Sequence, residues 1–305
     1  MPEDIYDIFT DNPQAPRVPP SEPAPPPYDP EAYKARKEQE RKETYEKLDT
    51  TSDKLRHNPE LFQTFLDVQA RFNRYSVNNC VLITAQRPDA TKIADYDTWQ
   101  KSGAHVNKGE KAFVILEPNG TYEREDGTKA TNYAPKKVFD ISQTDAEPQP
   151  QPTVTREERA LLKALITDAP CDFVVSDNMP ENYSALYKPE EKTIHIRSGM
   201  DAPAIFRALA QELAHAHMDR GAYNRSECAL VANYTSYILC KRNGVPTDAF
   251  PFDKTPERYK NMEVREFRQE LNRIRDIANT ISATMNRELQ AHQKQQAPRS
   301  TREAR

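Results

Sequence analysis

The placement of the prolines decides how much of this chain can form a core. Ten of its 25 prolines lie before Glu31, three more alternate in Glu147-Pro-Gln-Pro-Gln-Pro152, and the chain has only seven glycines. Proline fixes φ and removes an amide donor, so a run such as Val18-Pro-Pro-Ser-Glu-Pro-Ala-Pro-Pro-Pro27 supports neither a helix ladder nor a sheet. Residues 1–30 are therefore expected to be a disordered, Pro-rich leader, and residues 146–152 a Pro linker. Between and after them the pattern predicts a charged helix at 31–50, folded domains at 51–145 and 153–290, and a disordered Gln-rich tail at 291–305. The expected fold class is α+β, with two small domains.

Composition excludes several functions. No apolar run approaches the roughly 18 residues that a membrane-spanning helix needs. The start, Met1-Pro-Glu-Asp-Ile-Tyr-Asp7, lacks the basic then apolar order of a secretory signal, so a cytoplasmic protein with no membrane partner is expected. Cys80, Cys171, Cys228 and Cys240 are far apart and form no Cys-x-x-Cys pair, which argues against a zinc ribbon or a disulfide framework. A formal net charge of −4 gives no overall basic signature, so any nucleic-acid site has to be local.

Element signals are clearest in the helices. Asn58 and Pro59 mark a cap and first turn ahead of Leu61, Phe62, Phe65, Leu66 and Val68. Gly103 and Gly109 bracket a turn before a strand at Ala112–Leu116, a polar insert follows, and Lys137–Ile141 is expected to pair with that strand. The second folded segment opens with a helix at Arg156–Ile166. It continues with strands around Asp172–Val175, Ser184–Tyr187 and Lys192–Ile196, and then helices at Pro203–Arg220 and Ser226–Asn243. Last comes Pro256–Leu289, in which Val264, Phe267, Leu271, Ile274, Ala278, Ile281 and Met285 step by three and four along one side, as for a domain-covering helix or a short coiled coil.

The segment richest in chemistry is Gln211-Glu212-Leu213-Ala214-His215. Gln211 and His215 share a helix face with Glu212 beside them, which is the frame of the zinc-peptidase pattern His-Glu-x-x-His with its first imidazole missing. Zinc needs imidazole, thiolate or carboxylate ligands, so an amide at position 211 reduces affinity strongly. His217 lies about 200° around the helix from His215 and faces away.

Three ordered blocks resemble the N-terminal domain of the ArdC-like antirestriction family of conjugative mobile elements. They are Tyr75-Ser-x-x-Asn79-x-x-Leu-Ile83-x-x-Gln86; Thr98-Trp99-x-x-x-Gly103-x-x-Val106-x-Lys108-Gly109-Glu110-Lys111; and Val138-Phe-Asp-Ile-Ser-Gln-Thr144. The resemblance implies a single-stranded DNA-binding module followed by a zinc-peptidase-like domain of SprT or ImmA type. In such relatives the next helix supplies an acidic third ligand, where this chain has Asn233. With Gln211 and Asn233 as amides beside His215, the expected metal site is degenerate, no cofactor is expected, and Gln211, His215 and Asn233 are expected to form a hydrogen-bonded polar patch.

The resulting expectation is sequence-independent single-stranded DNA binding through Arg71, Arg74, Tyr75, Asn79, Trp99, Lys108 and Lys111, combining phosphate contacts with stacking. The segment from Thr50 to Asp145 has thirteen basic and thirteen acidic residues, so local placement has to carry the binding. Two alternatives stay open. One is an active zinc metallopeptidase with Glu212 as base and His217 or Glu227 as an unusual ligand. The other is a non-enzymatic scaffold in which the Pro-rich leader and the Phe267–Met285 seam recruit protein, with a protein partner of the C-terminal domain.

Overall fold

The computed structural model describes residues 29–147, 157–177, 179–180 and 182–296, with side chains to 294. Residues 1–28 of the expected leader, the linker beyond Glu147 and the tail beyond Gln296 lie outside the described residues, whereas Pro30 already opens a helix and residues 291–296 continue the last helix instead of joining the expected tail. The chain divides into a unit of residues 1–39 and a unit of residues 40–305. In the first, Asp29 opens helix α1 (Pro30–His57) by accepting from the Glu31 and Ala32 amides. The helix does not end near Thr50 but runs to His57, because its later turns bury Leu48, Thr51, Ser52 and Leu55.

Helix α2 (Pro59–Arg71) starts where its cap predicts, the Asn58 side chain accepting from the Leu61 amide at 2.9 Å. Its apolar stripe buries Phe62, Phe65, Leu66 and Val68. Helix α3 (Val77–Gln86) is capped by Ser76. The first sheet has strand order β1-β3-β2, with β1 (Ile93–Ala94), β2 (Phe113–Glu123) and β3 (Lys129–Asp140) all antiparallel. Helix α4 (Tyr96–Lys101) lies between β1 and β2. The expected pairing of the two strands is present, with Phe113 opposite Val138, but the expected polar insert is the outer part of the same hairpin. It closes through Asp126 and Gly127, whose φ of +76° suits glycine.

Strand β2 is the sheet's free edge, and α3 covers it through two amides. Asn79 exchanges hydrogen bonds with the Leu116 backbone, Nδ2 to O at 2.9 Å and Leu116 N to Oδ1 at 2.8 Å. Two turns along the helix, Gln86 does the same at Val114, at 2.8 and 3.2 Å. Leu116 and Val114 present backbone groups to the same edge because strand orientation repeats every two residues. The third sequence block works similarly: Asp140 accepts from the Thr91, Lys92 and Ser142 amides, while Gln143 binds Lys111 O and Glu110.

Helix α5 (Glu158–Ile166) leads into a second sheet of order β4-β6-β5. Strand β4 (Asp172–Ser176) is parallel to β6 (Thr193–Arg197), and β5 (Ala185–Lys188) is antiparallel to it. Helix α6 (Ala202–Met218) follows, capped by Asp201, and then α7 (Arg225–Asn243), capped by Asn224 and ended by Gly244 at φ +71°. A short α8 (Glu257–Lys260) precedes α9 (Val264–Gln296). The apolar seam of α9 is buried in the same core: Phe267, Leu271, Ile274, Ala278, Ile281 and Met285 are at most 4% exposed. A domain-covering helix is therefore the correct reading, and the seam is not free to recruit a partner.

One continuous core runs from Leu48 to Leu289. At its centre Phe62 of α2 meets Tyr234 of α7 edge-on, with ring centroids 4.9 Å apart, and also contacts Tyr259 and Phe267. Tyr237 donates its hydroxyl to Asp67 at 2.7 Å, a second tie between α7 and α2.

If Asn79 is an edge-strand clamp, Asn79→Ala leaves the buried Leu116 amide and carbonyl unpaired and should cost about 1–3 kcal/mol. Urea unfolding monitored by circular dichroism would check this, and an unchanged midpoint would contradict the assigned role.

Candidate functional site

Helices α6 and α7 pack side by side and, with β5, enclose a pocket of about 390 Å³. Its polar lining includes Arg207, Gln211, Glu212, Arg225, Asn233 and Ser236. Gln211 and Glu212 come from α6 because positions 204, 207/208 and 211/212 form one face; Asn233 and Ser236 are one turn apart on α7. The expected amide pair, Gln211 and Asn233, is thus brought to one place. His215 is not part of that lining. It is buried, and its Nδ1 lies 2.9 Å from the Tyr223 hydroxyl, the two rings meeting edge-on. The single hydrogen-bonded patch of Gln211, His215 and Asn233 does not form, because Tyr223 takes the imidazole.

The fate of Glu212 is more informative. Its carboxylate is 3% exposed and is gripped by Arg225, Nη1 to Oε2 at 2.8 Å and Nη2 to Oε1 at 2.6 Å. The Tyr187 amide of β5 donates a third bond to Oε2 at 2.7 Å. Burial works against the Arg225 charge, but the carboxylate outweighs it and holds the guanidinium's pKa above its ordinary value. Burial, with a smaller contribution from the half-buried Arg225 charge, pushes the His215 pKa down to about 3, so the imidazole is neutral at physiological pH. Burial raises the Tyr223 hydroxyl to about 12, keeping it protonated beside the imidazole.

This donor set does not fit zinc. Two of the positions present neutral amides, the imidazole is engaged by Tyr223, and the carboxylate already has a cation on both oxygens. A divalent ion entering the pocket would also meet the positive charge of Arg225, with Arg207 alongside. Both Glu212 oxygens are occupied, by the Arg225 guanidinium and the Tyr187 amide, so the carboxylate is committed to protein partners. Among the described residues, no group of three or more His, Cys, Asp or Glu side chains is placed to hold a metal ion. Neither suggested substitute reaches the pocket: Glu227 accepts from Asn224 at 3.2 Å, and His217 is absent from the lining. His195 pairs with Glu191 at 2.8 Å.

Arg207, Tyr187 and Tyr223 stand in no motif or spacing pattern that would mark them from the sequence, and Arg225 is marked only weakly. Arg225 stands thirteen residues after Glu212, beyond a turn, and only the packing of α7 on α6 brings the two together. An arginine in the first turn of a helix, where a cation is disfavoured by the dipole, was the available clue.

The candidate DNA residues separate into two kinds. Arg71, Arg74, Lys108 and Lys111 are exposed. Arg71 donates to the Pro88 carbonyl, whereas Arg74, Lys108 and Lys111 make no side-chain ion pair among the described residues. Lys108 sits on a turn made by Gly109, whose φ is +91°, and this turn is anchored by Asn107 N to Gln143 O at 2.9 Å. Tyr75 is half-buried and edge-on to Phe72 at 5.5 Å. Asn79 and Trp99 face inward. Asn79 is committed to the Leu116 backbone, and Trp99 is 3% exposed, its Nε1 donating to Phe139 O at 3.0 Å. The indole ring is therefore a core element, with the Lys92 ammonium 5.4 Å from its centroid.

Comparison with known proteins gives this arrangement a context. The chain is 28% identical to an uncharacterized protein of Bacillus anthracis over 84% of its own length, and it spans about half, 53%, of that relative. Crystal structures of the antirestriction ArdC protein from the R388 plasmid, metal-free and Mn(II)-bound, are 20% identical and cover 70% of this chain. They are covered over 86% and 84% of their lengths, with TM-scores of 0.48 and 0.47. Residues 34–163 match the profile of the N-terminal domain of the anti-restriction factor ArdC. That match takes in all three ordered motif blocks, so residues 34–163 are similar to the ArdC N-terminal domain.

Proposed function

We propose that this protein binds single-stranded DNA without sequence preference and that its peptidase-like pocket has given up its metal. The observation that carries the first part is the ArdC N-terminal domain match over 34–163 together with exposed cations on that segment that make no ion pair among the described residues, namely Arg74, Lys108 and Lys111. Single strands are held by cations along the phosphates and by aromatic faces under bases, each stack contributing about 1–3 kcal/mol. Here the cations dominate: with Trp99 and Asn79 turned inward, Tyr75 is the one expected aromatic that keeps an exposed part. Binding is accordingly expected to be strongly salt-dependent and weakly sensitive to base identity.

The second part rests on Arg225. Its guanidinium supplies the positive charge opposite Glu212 that an ion would otherwise bring, and it keeps the α6–α7 packing without one. Binding without turnover follows for this pocket, and the domain serves as a structural partner of the DNA-binding segment.

Two outcomes are expected. Lys108→Ala with Lys111→Ala should weaken binding of all labelled single strands alike and lower the magnitude of the log affinity versus log salt slope by about 1.4, at about 0.7 per lost phosphate contact. Fluorescence polarisation at several salt concentrations reads both, and an unaltered slope would remove these lysines from the contact surface. Separately, Gln211→His with Asn233→Glu should not load stoichiometric zinc until Arg225→Ala is added. Elemental analysis of the purified variants checks this; full zinc occupancy with Arg225 intact would contradict the charge-replacement account.

A further inference from the structure

Two adjoining depressions of about 330 and 450 Å³ share the residues Asn73, Ser282 and Asn286, so they form one groove. Its walls come from distant parts of the sequence: the end of α2 and the loop after it, the end of α7, and the middle of α9. The groove presents five cations, Arg71 and Arg74 from the first wall, Lys241 and Arg242 from the second, and Arg275 from the third. The one carboxylate among the described lining residues is Asp67. That carboxylate is already neutralised, by Lys241 at 3.0 Å and by the Tyr237 hydroxyl at 2.7 Å.

The two helix ends that open here would present carbonyl oxygens to an incoming anion, which is unfavourable at a helix C-terminus. Arg242 reverses that for α2. Its guanidinium points at Gln69 O and Ala70 O and at Ser282 Oγ, the last at 3.0 Å, so the groove floor is a fixed positive charge. Arg275 is paired with its neighbour Asp276 at 2.6 Å, and Arg74 has no ion pair among the described residues. Tyr75 lines the groove beside Arg74, and Asn279 leaves a buried Oδ1 without a partner while its Nδ2 donates to Asn73 O. Cations at several points along a groove, amides between them and one aromatic ring match a phosphodiester strand more closely than a compact anion.

We infer that the single strand runs through this groove, so that Lys241 and Arg242 of α7 and Arg275 of α9 bind phosphates together with Arg71 and Arg74. This rests on the single-stranded DNA reading and extends the contact surface into the C-terminal half of the chain. Only the α2–α7–α9 packing creates the site, which is why the ArdC-like segment alone does not account for it.

The test uses the full chain and a labelled oligothymidylate in fluorescence polarisation across a salt series. Lys241→Gln with Arg275→Gln is expected to weaken binding at least about 5-fold and to flatten the salt slope by about 1.4, corresponding to two lost phosphate contacts. Because Lys241 also ties α7 to α2, a second variant keeps the native pairs and adds charge instead. Exposed Asn286→Glu places a carboxylate in the groove and is expected to weaken binding as well, with an unchanged circular dichroism melt. Arg220→Gln, an exposed cation outside the groove, is expected to bind as wild type. Wild-type binding with both groove variants unaltered would overturn the groove while leaving the Lys108 and Lys111 surface in place. No binding of the oligothymidylate by the wild-type chain would instead overturn the DNA reading itself.

Discussion

Phe62 holds the two halves of this sequence together. Its ring lies among Tyr234, Tyr259 and Phe267, side chains that are more than 170 residues away in sequence, and the same helix sends Asp67 to Tyr237. Burying large aromatic rings against one another combines area with edge-to-face geometry worth about 0.5–1.5 kcal/mol per pair beyond burial. Although the Lys108 turn lies by a separate small core of Trp99, Ala104 and Ile141, the packing of α2, α7 and α9 is built around that contact. It sets α2 beside α7 and α9, buries the α9 seam, and leaves a basic groove where the three helices end or cross.

The second organising interaction is the Glu212–Arg225 pair. A buried ion pair adds little to stability compared with a well-packed apolar pair, but removing one partner leaves an uncompensated charge and is costly. That asymmetry explains why Glu212 and Arg225 stay together where α6 and α7 meet. The guanidinium satisfies the carboxylate, the Tyr187 amide adds a third bond to it, and the Tyr223 hydroxyl engages His215 Nδ1. The pocket carries the amides Gln211 and Asn233 and the cations Arg207 and Arg225, with Glu212 as a carboxylate already paired to Arg225.

Much of the architecture was legible from local signals. Asn58-Pro59, Asp201 and Asn243-Gly244 bound their helices because caps act within one turn, and the three-four spacing from Val264 to Met285 marked a buried face. Less legible were features whose cause is distant. The outer part of β2, residues 118–123, is exposed on both faces and so gives no apolar alternation, and α1 passes Thr50 because Leu55 finds a core partner that spacing alone does not show. Asn79, Trp99 and Gln86 stand in the motif blocks for structural reasons, closing an edge strand or filling the small core, whereas Arg74, Lys108 and Lys111 are exposed cations with no ion pair among the described residues. A polar side chain in a shared motif is as consistent with a backbone clamp as with a ligand contact, and only its partner distinguishes the two. Arg225 illustrates the same point for the pocket, since no spacing rule links it to Glu212.

Photocrosslinking of the full chain to a single-stranded oligonucleotide, followed by peptide mapping of the attached nucleotide, tests the central claim most directly. The account predicts adducts within residues 71–75 and 105–111, with Tyr75 as the aromatic site and Trp99 unlabelled. Adducts confined to the α6–α7 pocket around Gln211 and Asn233, or dominated by Trp99, would contradict it.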